Sequence, residues 1–117
     1  MSFQIVSNTG AKHFYGAGAS IFSILSEYLT GHENIGGSDL VSFTTFILEQ
    51  LDKLLNERVS PLINERSTRI KEIKYRNKKI LIDVSNSLDN EVYSWYNLLE
   101  LTEKADSLKV TKTSVPI

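Results

Sequence analysis

Three stretches of the chain hold residue types at spacings that could do chemistry. The first is Gly10 with Gly16-Ala17-Gly18, where backbone amides could cradle a phosphate. A P-loop puts four residues between its two glycines and follows the second with Lys and then Ser or Thr. Here five residues separate Gly10 from Gly16, and Ala17 stands where the lysine belongs. A dinucleotide fingerprint fails too, because Ile21 takes the place of its third glycine. Ser20 lacks the Gly-x-Ser-x-Gly frame of a nucleophile elbow. These glycines read as a flexible lead into a helix.

The second set is the titratable residues. His13 and His32 are the only imidazoles, and His32-Glu33 lacks the second histidine four positions on that a zincin helix requires. Glu49 with Asp52, and Glu100 with Glu103, are acidic pairs at i, i+3. Such pairs work as acid and base only where burial drives their pKa values apart. On solvated helix faces they do not. No catalytic residue, metal ligand or cofactor is assigned, and the chain reads as a protein that is not an enzyme.

The third stretch is basic. Arg66, Arg69, Lys71, Lys74, Arg76, Lys78 and Lys79 supply seven of the thirteen cationic side chains, with only Glu72 against them. That window carries +6 in a chain of net charge −1, so the remainder stands at −7. Near-neutrality therefore conceals a polarised molecule. On a helical wheel Lys71, Lys74 and Lys78 share one flank, Arg69 and Arg76 the other. Three readings fit: a solvated face whose long side chains pair with acids on neighbouring helices, a surface that docks an acidic protein, or a contact for the nucleic-acid backbone. No nucleic-acid-reading motif accompanies it. Tyr93, Trp95 and Tyr96 form the densest aromatic group; Trp95 falls on the apolar stripe, whereas Tyr93 and Tyr96 face aside and could anchor a partner.

These residues need elements to hold them. Phe3-Gln4-Ile5-Val6 suits a short strand, and Ser7-Asn8-Thr9-Gly10 is turn chemistry. Ile21, Ile24, Leu25, Tyr28 and Leu29 recur at helical spacing until Gly31, which predicts a helix of about three turns. After a loop at His32 to Gly37, Ser38-Asp39 suits the start of a second helix, with Phe43, Phe46, Ile47, Leu51, Leu54 and Leu55 on its buried face. Ser60-Pro61 suits a third start. Ile63, Ile70, Asn77 and Val84 then recur by sevens, interleaved with Val59, Arg66, Ile73 and Ile80. That is the pattern of a coiled-coil seam carrying one register-setting asparagine. Ile70, Ile73, Asn77 and Ile80 are accordingly the candidate self-association residues. Leu88, Val92, Trp95, Leu99 and Thr102 predict a fourth helix to about Asp106. Ser107 to Ile117 reads as a loose tail, or as a short strand at Val110 to Lys112 paired with Phe3 to Val6.

The expected fold class is all-α: an antiparallel bundle of about four helices, with residues 1–18 as an irregular or β-like lead and 107–117 as the tail. One domain suits 117 residues. A 41% hydrophobic and 23% charged composition is that of a globular chain, not a disordered one. The absence of cysteine excludes disulfides and thiolate metal sites and fits a reducing compartment. The first residues lack a signal peptide's charged and apolar regions, and the run from Ala19 to Leu29 is too short and polar to span a membrane. The expected setting is cytoplasmic, without a membrane. The leading functional expectation is a non-catalytic protein-binding domain, of small-inhibitor or immunity type, that occludes a partner with a charged surface. Its binding residues would be Arg69, Lys71, Lys74, Arg76, Lys78, Lys79, Tyr93 and Tyr96. The alternatives are a self-associating homo-oligomer built on the seam, and a nucleic-acid backbone binder through residues 66–79.

Overall fold

Strand, turn and strand open the chain. In a computed structural model that describes residues 2–16, 21–58 and 68–113, strand β1 (Ser2–Ser7) turns back into β2 (Lys12–Gly16). Ile5 lies opposite His13 and Phe3 opposite Tyr15. Helix α1 (Phe22–Tyr28) follows, ended at Gly31, whose φ of +81° is the left-handed value glycine supplies without strain. It has two turns, one fewer than its periodicity suggested. A short strand β3 (Asn34–Gly36) leads into α2 (Ser38–Glu57), capped by Gly37 at φ +58° and not by the side chain of Ser38.

The next element departs from expectation. Residues 70–83 are not a helix but a β-hairpin, β4 (Ile70–Tyr75) and β5 (Lys78–Asp83), joined by Arg76 and Asn77. Helix α3 (Ser87–Glu103) then begins at Asn86, whose side chain accepts the Leu88 amide hydrogen. The last strand, β6 (Ser107–Thr113), lies between β1 and β3. Among the described residues the result is three helices with six strands in two antiparallel sheets, a four-stranded one in the order β2-β1-β6-β3 and the β4–β5 hairpin. This overturns the all-α, four-helix antiparallel bundle and its coiled-coil seam. The strand alternative for the tail is realised, with Ile5 opposite Val110 and Phe3 opposite Lys112. The proposed helix start at Ser60-Pro61, with Val59, Ile63 and Arg66, lies outside the described residues.

One face of the large sheet makes the core. Phe3, Ile5, Tyr15, Ile35, Leu108 and Val110 point inward by period-two alternation and are buried. Against them lie the stripes of the helices: Leu25 of α1, Phe43, Ile47, Leu51 and Leu54 of α2, and Val92, Trp95, Leu98 and Leu99 of α3. All belong to a single hydrophobic cluster that also takes in Ile73, Tyr75 and Ile82 of the hairpin. Trp95 is fully buried, edge-on to Phe46 at 5.9 Å, and its indole N–H has no hydrogen-bond partner among the described residues. Two side chains, 9% and 8% exposed, tie the hairpin to the helices: Arg58, which caps the C-terminus of α2, pairs with Asp89 in the first turn of α3 at 2.8 Å. Among the described residues, no helix is long and apolar enough to cross a membrane.

Candidate functional site

The hairpin is built by alternation. Ile73, Tyr75 and Ile82 point inward and are buried, and Glu72, Lys74 and Lys79 alternate to the outer face; Lys71 and Lys78 share the inward register but are exposed. Tyr75 opposite Lys78 closes a two-residue loop in which Arg76 and Asn77 both have positive φ, +51° and +64°. Consecutive positive φ values are the mark of the type I′ turn that matches strand twist. In such a hairpin the pair flanking the loop exchanges both hydrogen bonds. The next pair, Lys74 opposite Lys79, is therefore a non-hydrogen-bonded one, with Cα atoms about 4.5 Å apart and side chains on the same face. Like charges placed so are destabilising. Together Lys74, Arg76, Asn77, Lys78 and Lys79 line an open concavity of about 480 Å3 at the hairpin tip.

The tip is braced from below by Asp52 of α2. Tyr75 donates its hydroxyl hydrogen to Asp52 Oδ1 at 2.6 Å, and Arg76 grips the same carboxylate through Nε at 3.2 Å and Nη2 at 2.9 Å. The Arg76 guanidinium also lies 5.3 Å from the centre of the Tyr75 ring. The Arg76 hydrogen bonds, then that of Tyr75, hold the Asp52 carboxyl below its usual range. Burial and the neighbouring Asp52 carboxylate push the Tyr75 hydroxyl up, and Asp52 and Tyr75 hold Arg76 more firmly protonated than usual. The triad thus keeps Tyr75 neutral and the other two charged. It suits holding charge in place better than passing a proton.

Beside the tip, a second cleft of about 370 Å3 runs between α2, α3 and β4, bordered by Leu48, Lys74, Tyr96, Leu99, Glu100 and Glu103. The Tyr96 hydroxyl accepts a long 3.5 Å contact from the Lys74 amide. A hydrogen bond to the Glu100 carboxylate, then burial, raises its pKa.

Of the expected binding residues, the structure gathers Lys74, Arg76, Lys78 and Lys79 at one tip and brings Tyr96 to the adjoining cleft. Lys71 lies lower on β4, opposite Ile82, and Arg69 precedes the strand with its carbonyl accepting the Val84 amide hydrogen. Tyr93 packs half-buried against the core. The expected self-association residues do not form a seam. Ile73 and Ile80 face each other across the hairpin on its inner side, Ile70 begins β4, and Asn77 occupies the turn. Pairing with an acid on a neighbouring helix is realised for Arg76 alone among the tip cations. Lys71, Lys74, Lys78 and Lys79 form no ion pair among the described residues. No family model, no curated protein and no solved structure matches the chain. Its function has to be argued from this surface.

The sequence alone does not single out Asp52 or Tyr75: Asp52 stands with Glu49 as an acidic pair on a helix face that reads as solvated. The period-two alternation of Ile73, Tyr75, Ile80 and Ile82 would have placed Tyr75 on the inner side. His13 is half-buried beside Tyr15, and His32 stacks on Tyr28 at 6.0 Å. Among the described residues no group of three or more His, Cys, Asp or Glu side chains is placed to hold a metal ion.

Proposed function

We propose that the chain is a non-catalytic binding protein of inhibitor or immunity type, acting in the cytoplasm, which occludes a partner by docking the basic β4–β5 hairpin on an acidic protein surface. The observation that carries this reading is the tip itself. Lys74, Lys78 and Lys79 are exposed on a short, braced hairpin without ion-pair partners among the described residues, and Lys74 directly opposes Lys79. A surface that only needed solvation would gain stability by separating them. Complementary potentials between such a tip and an acidic partner speed encounter and set orientation. A nucleic-acid backbone suits the site less well, because Glu100 and Glu103 border the adjoining cleft and the rest of the chain is acidic.

The test compares the native chain with Lys74→Glu/Lys79→Glu as bait in host extract, followed by reconstitution with the purified captured protein. The reading requires an acidic protein that binds the native chain, loses affinity as salt rises, and fails to bind the charge-reversed form. Capture that ignores the reversal, or recovery of nucleic acid alone, would sink it.

A further inference from the structure

We infer that the hairpin tip is a carboxylate socket: the concavity lined by Lys74, Arg76, Asn77, Lys78 and Lys79 seats one acidic side chain of a partner, and Asp52 is the internal competitor that already holds one edge of Arg76. The inference rests on the proposed docking of an acidic protein and names the anchor of that contact.

Three lysines, Arg76 and Asn77 border one open space of about 480 Å3, with Lys74 and Lys79 side by side on one face of the hairpin. Asp52 engages only Nε and Nη2 of Arg76. A guanidinium has five N–H groups in a rigid fork, so donors remain for a second carboxylate. The wall is stiff where it needs to be, because a two-residue loop with two left-handed residues fixes the tip and Tyr75 is clamped beneath it by Asp52 and Leu48. An anion in this space relieves the repulsion of Lys74 and Lys79, neither of which forms an ion pair among the described residues. An acidic side chain suits the space better than a polyanionic backbone, which would have to continue past Glu100 and Glu103.

Amide shifts of the full-length chain, titrated at constant ionic strength with an end-capped peptide of four glutamates, test the socket. Saturable shifts concentrated on residues 74–79 are expected, weakened about tenfold or more in Lys74→Gln/Lys79→Gln. Asp52→Asn keeps an oxygen to accept from Tyr75, and should bind the peptide more tightly than the native chain, because the hold on Arg76 is loosened and a negative charge is removed. Shifts that sodium chloride reproduces, unchanged affinity in the glutamine variant, or weaker binding by Asp52→Asn overturns the inference. So does tighter binding of a single-stranded oligonucleotide than of the peptide at the same salt. The two proposals fail separately. A socket that binds glutamate while the purified partner ignores hairpin charge removes the functional reading alone. Partner binding that depends on hairpin charge without any glutamate binding at the tip removes the socket alone.

Discussion

Replacing Asp89 by alanine should cost about 4 kcal/mol, a large share of the 5–15 kcal/mol that holds a typical domain together. The figure follows from what the carboxylate does. Its Oδ1 meets Arg58 Nε at 2.8 Å, and its Oδ2 accepts from Arg58 Nη2 at 3.2 Å and from the Asp83 amide at 2.8 Å. The alanine variant leaves a guanidinium, 9% exposed, with the Leu81 carbonyl at 3.0 Å as its acceptor among the described residues, and removes the carboxylate that accepts the Asp83 amide hydrogen. Breaking a buried pair from one side costs about 3–5 kcal/mol, and an unsatisfied buried donor about 1–3 kcal/mol, the two overlapping. Arg58→Ala should cost less, about 2–3 kcal/mol, because Asp89 keeps the Asp83 amide and a favourable place in the first turn of α3. Arg58→Met/Asp89→Leu removes both charges at similar volume and should cost well under the sum of the single changes, a coupling of about 2 kcal/mol. Urea unfolding followed by the fluorescence of Trp95, the chain's one tryptophan, measures all of these. A loss below about 1 kcal/mol for Asp89→Ala, or strict additivity in the cycle, would refute the reasoning.

Other substitutions probe the hairpin and the core. Asn77→Leu should destabilise by about 1–2 kcal/mol in urea unfolding, because leucine is strained at φ +64°; in a coiled-coil seam the same change would stabilise. Burial raises the Tyr15 hydroxyl above its ordinary value of 10.0. The stability it contributes is complete below pH 10 and is lost as pH rises through the folded-state value, so Tyr15→Phe should move the alkaline unfolding midpoint upward. Asp52 has the opposite sign: its lowered pKa contributes stability above the usual carboxylate range that disappears as pH falls. Asp52→Asn should therefore flatten the acid limb of a stability–pH curve. Trp95→Phe should cost only about 1 kcal/mol by circular dichroism, since the lost packing is offset by removing an N–H without a partner among the described residues, whereas Trp95→Ala should cost about 3–5 kcal/mol.

The contrast between α2 and the hairpin shows what periodicity can and cannot say. Phe43, Ile47, Leu51 and Leu54 follow one another along a single face, so translation along the chain reproduces their burial. Ile73 and Ile80 also lie seven apart, but they are mirror partners about the Arg76-Asn77 turn. Ile70 and Asp83 are reflected about the same point. A reflection and a heptad share that spacing, and only the turn distinguishes them. Asn77 held that information as a residue tolerant of left-handed geometry. The basic character of the segment was legible because charge does not depend on secondary structure. The flank assigned to each lysine was not, since a wheel puts Lys74 beside Lys78, whereas the ladder puts it opposite Lys79. Asp52 could not be placed in the site without the turn, because only the hairpin brings Arg76 to α2.

The position of β6 has a consequence for the order in which the chain can be assembled. Its register beside β1 is fastened by Asn8, whose Oδ1 accepts the amide hydrogen of Asp106, 98 positions later. During synthesis β1 can pair early with β2, but its other edge must wait until β6 leaves the ribosome. β3 waits for the same strand. A ladder that closes so distant a loop is slow to form and leaves two strand edges open to other chains in the interval. Interrupting β6 would return the nascent protein to that state, with Ile5 and Ile35 both deprived of the strand that lies between them.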